Sequence, residues 1–143
     1  MSHLRKCVID IKNPNPAILK KAMDLIAKEL GCTPTTNVYD FYYRTKGRDG
    51  LREAVLAGFS DKTLCPGGYG VRITNGQIEC VGDPHLESSE YRNPKQYPFD
   101  SFTKRVVQAY NAVAYQRQLL TQNFSTKISY KQETKQYVLA AVQ

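Results

Sequence analysis

The sequence predicts an α+β domain in which two long helices pack on one face of a mostly antiparallel sheet. Three observations lead there. Two segments carry apolar residues at helical spacing, the other apolar segments alternate or are rich in β-branched residues, and those alternating segments are mostly joined by short turns. The 143 residues fit one domain, spanning 1–143, long enough to bury a core without a metal or disulfide staple.

The segment from Leu4 to Ile11 alternates weakly and holds the β-branched pair Val8 and Ile9, so it predicts a strand. Asn13-Pro14-Asn15-Pro16 ends it. Asn15 can cap a helix whose first residue is Pro16, where a missing N–H is no loss. From there Ile18, Ala22, Leu25, Ile26 and Leu30 recur at helical spacing, and Gly31 suits a left-handed C-terminal cap. Thr35 to Thr45 predicts a strand with Tyr39, Phe41 and Tyr43 on its buried side and Asp40, Tyr42 and Arg44 on the other. After the charged turn Lys46 to Gly50, residues 51–59 are read as a strand, although Leu51, Val55 and Phe59 also fit a helix.

Asn75-Gly76 is the favoured pair for a two-residue type I′ hairpin turn. Counting outward sets Thr74 opposite Gln77, Ile73 opposite Ile78, Arg72 opposite Glu79 and Val71 opposite Cys80. One face is then apolar, and the other carries opposite charges directly across the strands. Residues 82–99, with Pro84, Pro94 and Pro98, predict a long surface connection. Asp100 or Ser101 caps a second helix running to about Gln122, with Phe102, Val106, Ala109, Tyr110, Val113 and Leu120 as its apolar stripe. Phe124, Thr126, Ile128 and Tyr130 alternate with Ser125, Lys127, Ser129 and Lys131. After a turn at Gln132 to Lys135, Tyr137 to Val142 forms a closing strand.

Composition narrows the function. A 41% hydrophobic chain with ten tyrosines is not a disordered one, and no apolar run approaches the ~20 residues of a membrane span. The apolar stretch behind the N-terminal basic residues is broken by Asp10 and Lys12, so no signal peptide is read and a cytoplasm-like or stroma-like reducing compartment is expected. Cys7, Cys32, Cys65 and Cys80 are widely spaced, without a C-x-x-C pair and with two histidines in the chain. Neither a metal centre nor disulfides are expected from that pattern, and no cofactor motif is present.

Twenty Lys and Arg against thirteen Asp and Glu give a net charge of +7. The excess is uneven: residues 101–143 hold six basic side chains and one acid, Glu133. Such a balance favours an anionic partner, since net charge governs association more than fold. Tyr42, Arg44, Lys46, Arg48 and Arg52 cluster around one strand and its turn, and Lys127 and Lys131 occupy the outward face of another. Aromatics mixed with Lys and Arg on a sheet face can stack bases and neutralise phosphates, the mode used for single-stranded nucleic acid.

Other candidate chemistry is sparse. Cys65-Pro66-Gly67-Gly68-Tyr69-Gly70 reads as a tight turn entering the hairpin, or as an anion nest in which Gly67, Gly68 and Gly70 present backbone N–H groups. It lacks the Gly-Lys-Ser/Thr ending of a phosphate-binding loop. Cys65 would need a base to become a nucleophile, and neither His3 nor His85 is near it in sequence. His85, between Asp83 and Glu87, reads as a solvated loop histidine. There is no Ser-His-Asp order, no Gly-x-Ser-x-Gly and no His-Glu-x-x-His.

Several segments resemble one family, the hypothetical chloroplast reading frame thirty-five proteins of algal plastids and cyanobacteria. They are the Met1-Ser2-His3 start, a first helix ending Leu30-Gly31, the segment Gly70-Val71-Arg72-Ile73-Thr74-Asn75-Gly76, and Tyr110-Asn111-Ala112-Val113 in the second helix. The strand at Phe124 and the apolar C-terminal strand complete the likeness. The long proline-bearing connection and the ending Ala141-Val142-Gln143 depart from the family's pattern. The resemblance implies a single α+β domain in a cytoplasm-like or stromal compartment, and it transfers no functional residue.

The residues therefore favour a non-catalytic, small basic binding domain contacting single-stranded RNA or DNA or another anionic partner. The alternative is a protein–protein adaptor or self-assembling homo-oligomer, suggested by the proline-bearing connection and the closing edge strand. A small enzyme built on Cys65 or His85 ranks last. No membrane role is expected.

Overall fold

The computed structural model describes residues 4–39, 52–84 and 95–143. In chain order it contains β1 (Arg5–Ile9), α1 (Pro16–Leu30), β2 (Thr33–Tyr39), β3 (Arg52–Asp61), β4 (Cys65–Thr74) and β5 (Gln77–Gly82), then α2 (Phe99–Leu120), β6 (Ser125–Lys131) and β7 (Gln136–Val142). Five strands form an antiparallel sheet in the order β1-β5-β4-β3-β2, and β6 and β7 form a separate two-stranded sheet. The α+β class is as predicted. So is the hairpin register, with Arg72 opposite Glu79 and Val71 opposite Cys80.

Local chemistry starts α1. The Asn15 side-chain oxygen accepts from the N–H groups of Ala17 and Ile18 at 2.8 and 3.3 Å, and Pro16 stands first in the helix. Gly31 adopts φ 71° and closes the other end. The buried stripe differs from the predicted one. Leu19, Ala22, Met23, Ile26 and Ala27 are buried, whereas Ile18, Leu25 and Leu30 lie half-buried beside them. The stripe is wider than a sheet alone would require because α1 packs against α2 as well as against β3.

The start of α2 is a correction. Neither Asp100 nor Ser101 caps it. Pro98 stands at the cap position with no side-chain hydrogen bond, and Phe99 is the first helical residue. Phe99 is fully buried, with its ring 5.6 Å from Tyr69 and 6.1 Å from Phe102. Aromatic packing therefore replaces a polar cap in fixing the helix start. Asp100 instead pairs with Arg5 at 3.4 Å. The stripe is buried as far as Val113. Beyond it the helix runs beside β6, where Gln116 Nε2 donates to Thr126 Oγ1 at 2.9 Å, and the expected core residue Leu120 is exposed.

Two further expectations change. Cys65 to Gly70 belongs to β4 and is not a turn. The connection before α2 does not lie wholly on the surface: Gln96 is buried and donates to the Tyr69 hydroxyl at 3.0 Å, and the Tyr97 N–H donates to the Leu64 carbonyl at 2.8 Å. The Tyr69 hydroxyl in turn donates to the Tyr97 carbonyl. These bonds satisfy polar groups that burial would otherwise leave unpaired.

The main core joins Leu19, Met23 and Ile26 of α1, Phe102, Val106 and Ala109 of α2, and Phe59, Tyr69, Val71, Ile78 and Cys80 of the sheet. A second cluster, Val38, Val55 and Val81 with Leu4 against it, lies on the other side of the sheet, as alternation along β5 requires. Register shifts at Thr35/Asn37 and Phe59/Asp61 bend the sheet. Lys6 of β1 lies within 3.0 Å of Glu53 of β3, although two strands separate them.

Candidate anion-binding cleft

The described residues place a basic, tyrosine-lined cleft between α2 and the β6–β7 hairpin. It has a volume of about 410 Å³ and is lined by Ser101, Lys104, Arg105 and Gln108 of α2, by Tyr130, Gln132 and Lys135 of the hairpin, and by Leu30 and Tyr97. The four α2 residues recur at helical spacing, so they form a second stripe flanking the apolar one. Tyr130 belongs to the inward-facing set of β6 and stands opposite Tyr137 of β7, with ring centres 4.9 Å apart. No acidic side chain lines the cleft among the described residues.

Arg105 organises the site. It is 4% exposed, Nε donates to the Tyr137 hydroxyl at 3.0 Å, and Cζ lies 3.7 Å from the centre of the Tyr130 ring. A guanidinium stacked on an aromatic face gains cation–π energy that rises as water is excluded. Nη2 is buried and has no hydrogen-bond partner, and no carboxylate forms an ion pair with Arg105 among the described residues. Burial works against its charge, but the hydroxyls of Tyr137 and Tyr97 outweigh that effect and hold it above the ordinary arginine value. Burial raises Tyr97 and Tyr137 above ordinary tyrosine, with the Arg105 charge opposing the rise. At neutral pH the cleft is therefore cationic, with neutral phenols.

The residues singled out from the sequence fall in three places. Lys127 and Lys131 are exposed on β6, opposite Ala140 and Gln136. Arg52 is exposed at the start of β3, opposite Tyr39, and so belongs to the other sheet. Tyr42, Arg44, Lys46 and Arg48 lie outside the described residues, as does His85.

Gly67, Gly68 and Gly70 lie in β4, where close packing accounts for two of them. A Cβ on Gly67 would fall 2.1 Å from the Tyr39 carbonyl oxygen, and one on Gly70 would fall 2.7 Å from a Val55 methyl. Cys65 is buried, and burial pushes its thiol far above the usual range, which leaves it protonated and weakly nucleophilic at neutral pH. Cys80 behaves likewise.

Lys104, Arg105, Tyr97 and Lys135 are not among the residues that composition and spacing single out as a site. A signal was present: Arg105 stands beside Phe102, Val106 and Ala109 on the helix, a charge at the border of an apolar stripe. Comparison with protein-family models, with curated proteins and with solved structures found no match.

Proposed function

We propose that the chain is a non-catalytic binding domain whose basic, tyrosine-bearing surface takes single-stranded nucleic acid. The observation that carries this reading is Arg105, a buried cation without a carboxylate partner among the described residues, beside a cleft rimmed by Lys104 and Lys135. An uncompensated buried charge is costly, and an external anion would complete it. Exposed Lys127 and Lys131 add positive charge on the outward face of β6, and tyrosine rings offer stacking. In this reading Tyr42, Arg44, Lys46, Arg48 and Arg52 form a further contact region for the same strand. Both helices are taken to share one face of the large sheet, which the single main core they enter supports.

The test is fluorescence anisotropy with labelled oligothymidylate and oligouridylate across a salt series. Each phosphate neutralised contributes roughly −0.7 to the slope of log affinity against log salt, so engagement of the four lysines gives about −3. Charge reversal at Lys127 and Lys131 should weaken binding and flatten the slope. Salt-independent binding, or none at low salt, overturns the reading.

A second reading, a protein-interaction or self-assembling domain, is favoured by one observation. Val138 and Val142 on β7 are 40% and 68% exposed, and β7 pairs with β6 alone among the described residues. An apolar edge strand invites strand addition. Light scattering that shows a monomer at high concentration, with Val138→Lys indistinguishable from the parent, counts against it.

A further inference from the structure

We infer that the cleft between α2 and the β6–β7 hairpin is a phosphomonoester site for a nucleotide: Arg105, Lys104 and Lys135 take the phosphate, and Tyr97 and Tyr130 stand beside the base. The inference rests on the nucleic-acid reading and narrows it, from contact along a strand to capture of a terminal phosphate.

Three features support it. The first is pre-organisation. Stacking on Tyr130 at 3.7 Å and the Nε bond to Tyr137 at 3.0 Å fix the guanidinium plane, while Nη2 keeps an unused donor. A fixed planar fork matches the oxygens of a phosphate and loses little further freedom on binding.

The second is charge. Three cations line the cleft and no acid does, among the described residues. A phosphomonoester carries about −1.5 to −2 near neutral pH, more than the single charge of an internal phosphodiester, so the cleft favours the end of a strand over its middle. Ser101 stands in the first turn of α2 at the cleft, and Asp100, the acid of that turn, is paired with Arg5 at 3.4 Å.

The third is size and polarity. About 410 Å³ lies in the lower part of the range for small-molecule sites, room for one nucleotide. Ser101, Gln108 and Gln132 add neutral hydrogen-bonding groups around the cations, suited to phosphate oxygens and sugar hydroxyls.

The experiment measures anisotropy of one oligothymidylate bearing a 5′-phosphate, a 3′-phosphate or neither, beside thermal-shift titrations with adenosine monophosphate, adenosine and inorganic phosphate. A terminal phosphate should tighten binding on the order of tenfold, as charge-assisted hydrogen bonds predict. The advantage should fall in Lys104→Ala and Lys135→Ala, which alter exposed side chains and preserve the fold. Arg105→Lys, which keeps the charge but loses the fork, should remove most of it. Lys62→Ala, in the β3–β4 turn, should change nothing.

Stabilisation by adenosine monophosphate but not adenosine, lost in Lys104→Ala, upholds the site and assigns it to a free nucleotide if oligonucleotide ends are not distinguished. Equal affinity for all three ends with no stabilisation by the monophosphate overturns the inference. If salt-dependent strand binding persists in that case, the broader reading stands. Absence of all binding removes both.

Discussion

The backbone N–H of Asn15 donates to the hydroxyl of Tyr110 at 2.8 Å, across 95 positions of sequence. Asn15 caps α1 with its side chain, and Tyr110 sits within the buried stripe of α2. The Tyr110 hydroxyl thus ties the start of the first helix to the middle of the second.

Tyr110→Phe keeps the ring and removes the acceptor. Because Asn15 is exposed, water can take up the freed donor, so the expected loss is about 0.5–1.5 kcal/mol, read from urea unfolding. A variant as stable as the parent would mean the bond contributes nothing to the joining of the helices.

The β4–β5 hairpin offers a second test. Arg72 Nη2 lies 2.6 Å from Glu79 Oε1 and 3.0 Å from Glu53 Oε2, with side chains between one-sixth and one-quarter exposed. A double-mutant cycle on Arg72→Met and Glu79→Gln should give a favourable coupling near 1 kcal/mol, at the upper end for partly exposed pairs. Coupling that vanishes in modest salt would place the pair among fully solvated ones.

At Gly70 the tight approach to Val55 and Val38 predicts that Gly70→Ala destabilises by about 1–3 kcal/mol, since β-branched side chains give way poorly. The variant Gly70→Ala/Val55→Ala should recover part of the Gly70→Ala penalty, relative to Val55→Ala alone. Additive losses in thermal unfolding would show that the crowding lies elsewhere.

The buried thiols predict alkaline sensitivity. Burial raises Cys65 and Cys80 above their unfolded value, so the unfolded chain loses these protons first. Their contribution is present in full below about pH 8.5 and is lost as the pH climbs toward the folded values, with a slope on the order of 1 kcal/mol per pH unit for each thiol. Cys65→Ala and Cys80→Ala should each lower stability at pH 7 yet flatten its decline above pH 8.5. Both thiols should also resist iodoacetamide until the protein unfolds; rapid alkylation of the native protein would contradict their burial.

Much of the architecture was legible because it is local. The turn chemistry of Asn75-Gly76 and the alternation around it set the β4–β5 register, with Asn75 and Gly76 at φ 54° and 74°. Asn15, Pro16 and Gly31 mark the ends of α1 by the hydrogen bonds and dihedral angles their side chains allow. The candidate cleft was legible only in pieces. The alternation that turns Tyr130 inward could be read along the chain. That Arg105 would meet Tyr130 and Tyr137 depends on how α2 lies against a hairpin that follows it.

The amino-acid order by itself determined the elements, their sequence, and the positive balance of the last third, since backbone preference, hydrophobic period and side-chain charge act over a few neighbouring residues. Tertiary structure alone decided where α2 begins, through burial of Phe99, and why Gly67 and Gly70 carry no side chain, through the close approach of Tyr39 and Val55 from other strands. It also set Arg105 beside the tyrosines. These depend on the approach of segments far apart in the chain, where packing and desolvation outweigh local propensity.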